Sequence, residues 1–416
     1  MNKDFYISTR KKVLSSIEDN SLFVLFSGTA PHKSADADYD FIVNKNFFYM
    51  VGVEREKFIL LLEKRNGQIK ETLFIEKVSP LEEKWTGFRM KEDEAKSISG
   101  IENIKPVDGF YDYLNTILFN DDFLNIYLDL ERRGWNSDDT KALKLAKDIN
   151  EKYPHIKINN SYNIIAKSRM VKTEDEVEMI RKAIEITNQG IKRMMENSKP
   201  DMMEYQLEAY FDFELKTLGA KRHAFNTIAA SGKNAIVLHY VENNCKMNDG
   251  ELILFDLGAE YNNYCADISR TFPVNGRFTE RQKEIYNIVL KSQLETIKAV
   301  KPGIPFKELN NVTKKVLIEE CKRIGLINTD EEITKYYYHG VSHYLGLDTH
   351  DVGDREAILE PGMILTIEPG LYIEEEGLGI RIEDNVVVTE DGCENLSEDI
   401  IKTVEEIEAF MDKKEK

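Results

Sequence analysis

The chain has 416 residues, room for two domains, with 42 % apolar and 31 % charged residues, the balance of a water-soluble globular protein. A formal net charge of −18 argues against nucleic-acid binding, which needs clustered Lys and Arg to displace counterions. The longest apolar runs, such as residues 22–26 and 58–62, are strand-sized, far short of the ~20 residues of a membrane helix.

The opening Met1-Asn2-Lys3-Asp4 leads into no apolar h-region and no small-residue cleavage site, so a cytoplasmic chain without a membrane segment is expected. The first ~165 residues alternate strand and helix patterns. Residues 22–26, 47–53, 58–62, 73–78 and 126–130 are short apolar runs between turn formers and are predicted as strands. Asn66-Gly67 fits a tight hairpin turn, because both residues tolerate positive φ. A helix is predicted over 81–97, after Pro80.

A domain boundary is expected near residues 166–171, giving domains 1–168 and 169–416. Thr173 and Glu176 form a capping-box pattern. It opens a helix whose apolar face runs Val177, Ile180, Ile184, Ile191 and Met194. A second helix carries Leu207, Phe211, Leu215 and Leu218. Thr279 and Gln282 cap a third, ending near Pro302-Gly303, and Pro305 opens a fourth with Gly325 closing it. Strands fill 252–272, 363–373 and 378–389, so the C-terminal half is two helix-plus-hairpin units in series. The fold class is α/β (α+β). Cys245, Cys265, Cys321 and Cys393 are scattered and offer neither zinc spacing nor an expected disulfide.

The chemistry concentrates in this second half. Asp256 and Asp267 lie on strand-like segments, and a two-residue turn at Tyr261-Asn262 would set them directly opposite each other. Glu368 and Glu383 flank the loop 374–377, whose four residues pair them in the same way. Like charges across a strand pair repel, and an acid at the centre of an apolar strand needs compensation that a cation supplies. Three of the seven histidines, His339, His343 and His350, share one glycine-containing segment, and His239 precedes the Asp256 strand. Four carboxylates and one imidazole make a hard, oxygen-rich set whose formal charge balances two divalent ions. Two metals ~3.5–4 Å apart hold a bridging hydroxide and polarise a scissile carbonyl, so metal-assisted hydrolysis is expected.

The segments 339–351, 359–372, 379–384 and 394–396 resemble the pita-bread metallopeptidases (peptidase family M24), and within them Xaa-Pro aminopeptidases (aminopeptidase P) and prolidases. The likeness is strong from ~170 onward, and the first half looks like the accompanying creatinase/prolidase N-terminal domain. The resemblance implies a pita-bread catalytic domain and two divalent ions, Mn2+ first, with Zn2+, Co2+ or Fe2+ as alternatives. Asp256 would bind one ion, His343 and Glu368 the other, and Asp267 and Glu383 both. Glu368 would carry a proton to the leaving nitrogen. His239 and His350 would lie beside the substrate, His350 near the oxyanion, with His339 and Arg381 supporting from the wall. Tyr344 is a candidate wall residue that suits core packing equally well.

The implied substrates are peptides with proline in the second position, and the implied assembly is a homodimer or homotetramer. A prolidase limited to dipeptides is the near rival. A metal-free creatine-type amidinohydrolase and a binding module are the distant ones, and both would lack part of the ligand set. The segment 372–379 is shorter than in many Xaa-Pro aminopeptidases. His223 stands where the family more often has Pro or Ser, and is expected to pack.

Overall fold

The computed structural model describes residues 1–120 and 123–412. They form two compact units, Met1–Arg169 and Met170–Lys416.

The first unit is built on six strands: β1 (Ser21–Phe26), β2 (Ile59–Arg65), β3 (Gln68–Ile75), β4 (Asn103–Pro106), β5 (Asn125–Leu128) and β6 (Lys157–Asn160). Their order is β4-β3-β2-β1-β5-β6. Only β2 runs antiparallel to its neighbours. Apolar faces of the helices Phe110–Asn120 and Lys141–Lys152 cover Leu22, Val24, Leu61, Phe74 and Ile126. Asn66 and Gly67 make the expected turn, with φ of 50° and 73°.

Two expectations fail here. Residues 47–53 are not a strand: Lys45–Val51 is a helix, capped by the Asn44 side chain and closed by Gly52 at φ 76°. Every side chain from Asn46 to Val51 is buried, and an all-round buried helix reads like a buried strand. The helix predicted over 81–97 is two short ones, Pro80–Thr86 and Glu92–Ser99, parted at Gly87, φ 86°.

In the second unit, β7 (Ile228–Ser231), β8 (Leu252–Leu257) and β9 (Ile268–Pro273) form one antiparallel sheet in that order. A second sheet has the order β10 (Ile364–Ile367), β13 (Asp384–Val388), β14 (Cys393–Asn395), and β11 (Gly370–Ile373) pairs with β12 (Leu378–Arg381). The helix Glu174–Asn197 has the capping box expected at Thr173 and buries its predicted face. Leu218 departs from expectation: it is the C-cap of Glu204–Thr217 and 42 % exposed. The helix after Pro305 starts only at Glu308, because Pro305 pairs with Ile358. Val300, Phe306 and Leu309 pack on Leu365, Ile367 and Val386 beneath the second sheet. Among the described residues no helix is long and apolar enough to cross a membrane.

Candidate metal centre

Asp256 lies in β8 and Asp267 just before β9. The turn between them is Asn262-Asn263, with φ of 48° and 68°, rather than Tyr261-Asn262. Asp256 therefore faces Ser269, and Asp267 falls level with Gly258, two positions along the same face. The acids are diagonal rather than directly opposed, and still close enough to repel. Gly258 permits this close approach: a Cβ there would lie 1.8 Å from the carbonyl oxygen of Ala266.

The other pair follows its loop length. Ile367 faces Asp384 and Gly370 faces Arg381 in one continuous register, so Glu368 and Glu383 fall opposite each other where the ladder breaks. Pro369, without an N–H, marks the interruption, and its carbonyl accepts from the Ile382 amide at 3.3 Å. Two links join this block to the first. The Ser269 hydroxyl donates to Glu383 at 2.8 Å, and the Glu383 amide to the Ser269 carbonyl at 3.0 Å. The Asn385 side chain donates to the Asp267 carbonyl at 2.6 Å and accepts from the Asp267 amide at 3.2 Å.

His343 enters from the segment beside β10, its amide donating to the Thr366 hydroxyl at 3.1 Å. Its Nδ1 donates to the Tyr344 carbonyl at 3.0 Å, which fixes the ring orientation and turns Nε2 toward the acids. Nε2 sits 3.2 Å from Asp267 Oδ2 and 3.7 Å from Glu368 Oε1. The ligating atoms of Asp267, His343 and Glu383 lie within 4.8 Å of one another.

Three buried oxygens, Asp256 Oδ1, Asp267 Oδ1 and Glu383 Oε1, have no hydrogen-bond donor. Burial, then repulsion from Asp256 and Glu368, holds the Asp267 carboxyl well above its ordinary range. Glu383 is raised by burial and by Asp267. Burial pushes Glu368 up to about 7, against the pull of His343 and Arg381. Desolvated carboxylate oxygens without donors are costly unless a cation completes them, and hard divalent ions suit these three. The residues fit a metal centre.

The centre opens into a cavity of about 180 Å³ lined by His239, His339, His350, Arg355 and Arg381 as well as the acids. The ring of His350 is 4.2 Å from that of His343. His339 bonds the Gly340 carbonyl through Nδ1 (2.8 Å) and the Tyr372 hydroxyl through Nε2 (2.9 Å); burial, then the nearby Arg381 charge, holds it down to about 4. Arg381 is committed to the protein: it donates to Asp256 (2.8 Å), the Ser269 hydroxyl (2.8 Å) and the Tyr372 hydroxyl (3.0 Å).

Tyr344 is not in the wall. Its ring is buried in the core, stacked on Phe306 at 5.2 Å, and its hydroxyl donates to the Asp354 carbonyl. His223 packs as expected, between Asp212 (2.7 Å), Thr227 (3.1 Å) and the Phe211 ring. Sequence reasoning missed Arg355, which looks like ordinary surface charge in the turn over 354–357, and Tyr372, whose hydroxyl bridges His339 and Arg381. A larger groove of about 950 Å³, beside Tyr205, Tyr210 and Phe213, gathers no such set of acids.

Residues 178–390 match metallopeptidase family M24, and residues 6–127 match the aminopeptidase P N-terminal domain. The chain is 34 % identical to the Xaa-Pro aminopeptidase of Escherichia coli (strain K12), covering 97 % of this chain and 96 % of that one. It is 33 % identical to Xaa-Pro aminopeptidase 3 of Mus musculus, covering 92 % and 79 %. A candidate aminopeptidase P from Bacillus anthracis superposes with a TM-score of 0.98 at 52 % identity, covering 100 % and 99 %. Zinc-substituted E. coli aminopeptidase P in complex with product gives 0.93 at 32 %, again covering 100 % and 99 %.

Proposed function

The chain belongs to metallopeptidase family M24, and on that premise we propose that it is an Xaa-Pro aminopeptidase, releasing the N-terminal residue from peptides whose second residue is proline. The observation that carries this reading is one cavity lined by Asp256, Asp267, His343, Glu368 and Glu383, three of whose buried carboxylate oxygens have no donor, in a chain matching such enzymes over nearly its whole length. The N-terminal domain is taken as 1–168 and the catalytic domain as 169–416.

Asp256 would hold one divalent ion and His343 with Glu368 the other, with Asp267 and Glu383 as the carboxylates available to both. The ions, Mn2+ by preference, activate water and polarise the scissile carbonyl when bound. Glu368 takes the water's proton and passes it to the proline nitrogen. That nitrogen belongs to a tertiary amide with no N–H, so it must be protonated to leave as an amine. His350, beside His343, donates to the developing oxyanion, and His239 contacts the substrate from the facing wall. Arg381 acts through Asp256, which it orients, and His339 through the wall it shares with Tyr372.

The test is a length series with Mn2+-loaded and chelated enzyme. Xaa-Pro-Yaa tripeptides are cleaved only with metal; turnover of Xaa-Pro dipeptides alone makes the enzyme a prolidase, and turnover unaffected by chelation ends the metallopeptidase reading. The assembly is read as a cytoplasmic homodimer or homotetramer, which light scattering of the purified protein tests.

A further inference from the structure

The segment joining β7 to β8 carries Leu238 and His239 to the cavity, yet beyond the short turn Gly232–Ile236 it has no regular structure up to His239. Such a chain has no hydrogen-bond ladder of its own and must be fixed from outside. The fixing group is Glu204, the first residue of the helix Glu204–Thr217, with 0 % exposure. Its Oε1 accepts from the Ser231 amide (2.7 Å), the Ser231 hydroxyl (2.7 Å) and the Asn234 side chain (3.0 Å). Its Oε2 accepts from the Tyr240 hydroxyl (2.8 Å) and the Cys245 amide (2.9 Å). One helical turn on, Glu208 takes the Asn243 side chain at 2.9 Å. The donors to Glu204 come from both sides of His239 in sequence, and they use every lone-pair direction a carboxylate has. A neutral amide in its place would turn an NH2 toward at least one N–H or O–H donor.

We propose that Glu204 is a positioning residue: its buried carboxylate pins the 231–245 segment so that His239 faces the metal-ligand cluster. The activity arm of the test rests on the aminopeptidase reading; the exchange arm does not.

The experiment uses full-length, Mn2+-loaded protein carrying Glu204→Gln, His239→Ala or both, with an Xaa-Pro-Yaa tripeptide as substrate. Glu204→Gln is expected to lower kcat/KM by about tenfold to a hundredfold, the scale of a misplaced site group, with metal content unchanged. In the His239→Ala background the same change is expected to cost less than about twofold, since the two act as one unit. Deuterium uptake across residues 232–246 is expected to rise in Glu204→Gln. Additive losses in the double variant, or unchanged uptake in that segment, would overturn the proposal. Should Glu204→Gln fail to fold, Tyr240→Phe and Asn234→Ala each remove one donor and must repeat the pattern at smaller size; full additivity with His239→Ala counts against it equally. If wild type leaves the tripeptide intact while Glu204→Gln still raises uptake in that segment, the substrate assignment fails and the anchor stands.

Discussion

The substitution Asp267→Asn should stabilise the metal-free protein while abolishing its activity. Asp267 is 4 % exposed, one of its oxygens has no donor, and Asp256, Glu368 and Glu383 crowd it. Two unit charges 4–5 Å apart repel by roughly 3–4 kcal/mol at an effective dielectric near 20. Protonation relieves much of this, because the carboxyl is held well above its ordinary value. The residual gain on removing the charge is about 1–3 kcal/mol, or roughly 2–12 °C in melting temperature for a unit of this size. An acid whose folded pKa is raised destabilises the fold from its unfolded value upward, so metal-free stability should fall as pH rises above about 4. The variant should flatten that slope. With metal the order should reverse: wild type gains about 2.7 kcal/mol at a hundredfold excess of ion over Kd, and the variant, lacking a carboxylate proposed to be shared by both ions, should gain much less. Thermal unfolding at pH 5 and pH 8, with chelator and with Mn2+, reads all four states. A metal-free variant melting at or below wild type at pH 8 would refute the repulsion argument.

Three further outcomes follow from the same geometry. Asp384→Asn leaves the buried Arg270 and the part-buried Lys402 without their anion and should cost about 3–5 kcal/mol in denaturant unfolding, chiefly through Arg270; a loss below about 1 kcal/mol would contradict the pairing. Gly258→Ala drives a Cβ onto the Ala266 carbonyl, so it should yield protein that melts markedly lower and holds less metal, whereas near-normal metal content would mean the turn can yield. Arg381→Lys keeps the charge but cannot span Asp256, Ser269 and Tyr372 together. It should weaken metal binding about ten- to hundredfold by titration, and unchanged affinity would show that Arg381 does not orient Asp256.

What the residues themselves determined is the chemistry. An acid in an apolar, strand-like stretch is costly unless something compensates it, and four such acids with a nearby imidazole point to a candidate cation site from the sequence alone. Loop length fixed the Glu368–Glu383 register in the same local way, because a strand pair allows few offsets. The Asp256–Asp267 register slipped from expectation because Asn262 and Asn263 both accept positive φ, moving the turn by one residue. Only the tertiary structure decided what depends on contacts distant in sequence. Asn385 and Ser269 lock the two hairpins into one centre, Phe306 draws Tyr344 into the core, and Arg381 spends its donors on Asp256 and Tyr372. Glu204, which reads as one more acid at a helix start, is tied to the segment that carries His239 by partners as distant as Cys245. Periodicity and spacing report neighbours along the chain; which polar group satisfies which across the core is settled only when the chain closes on itself.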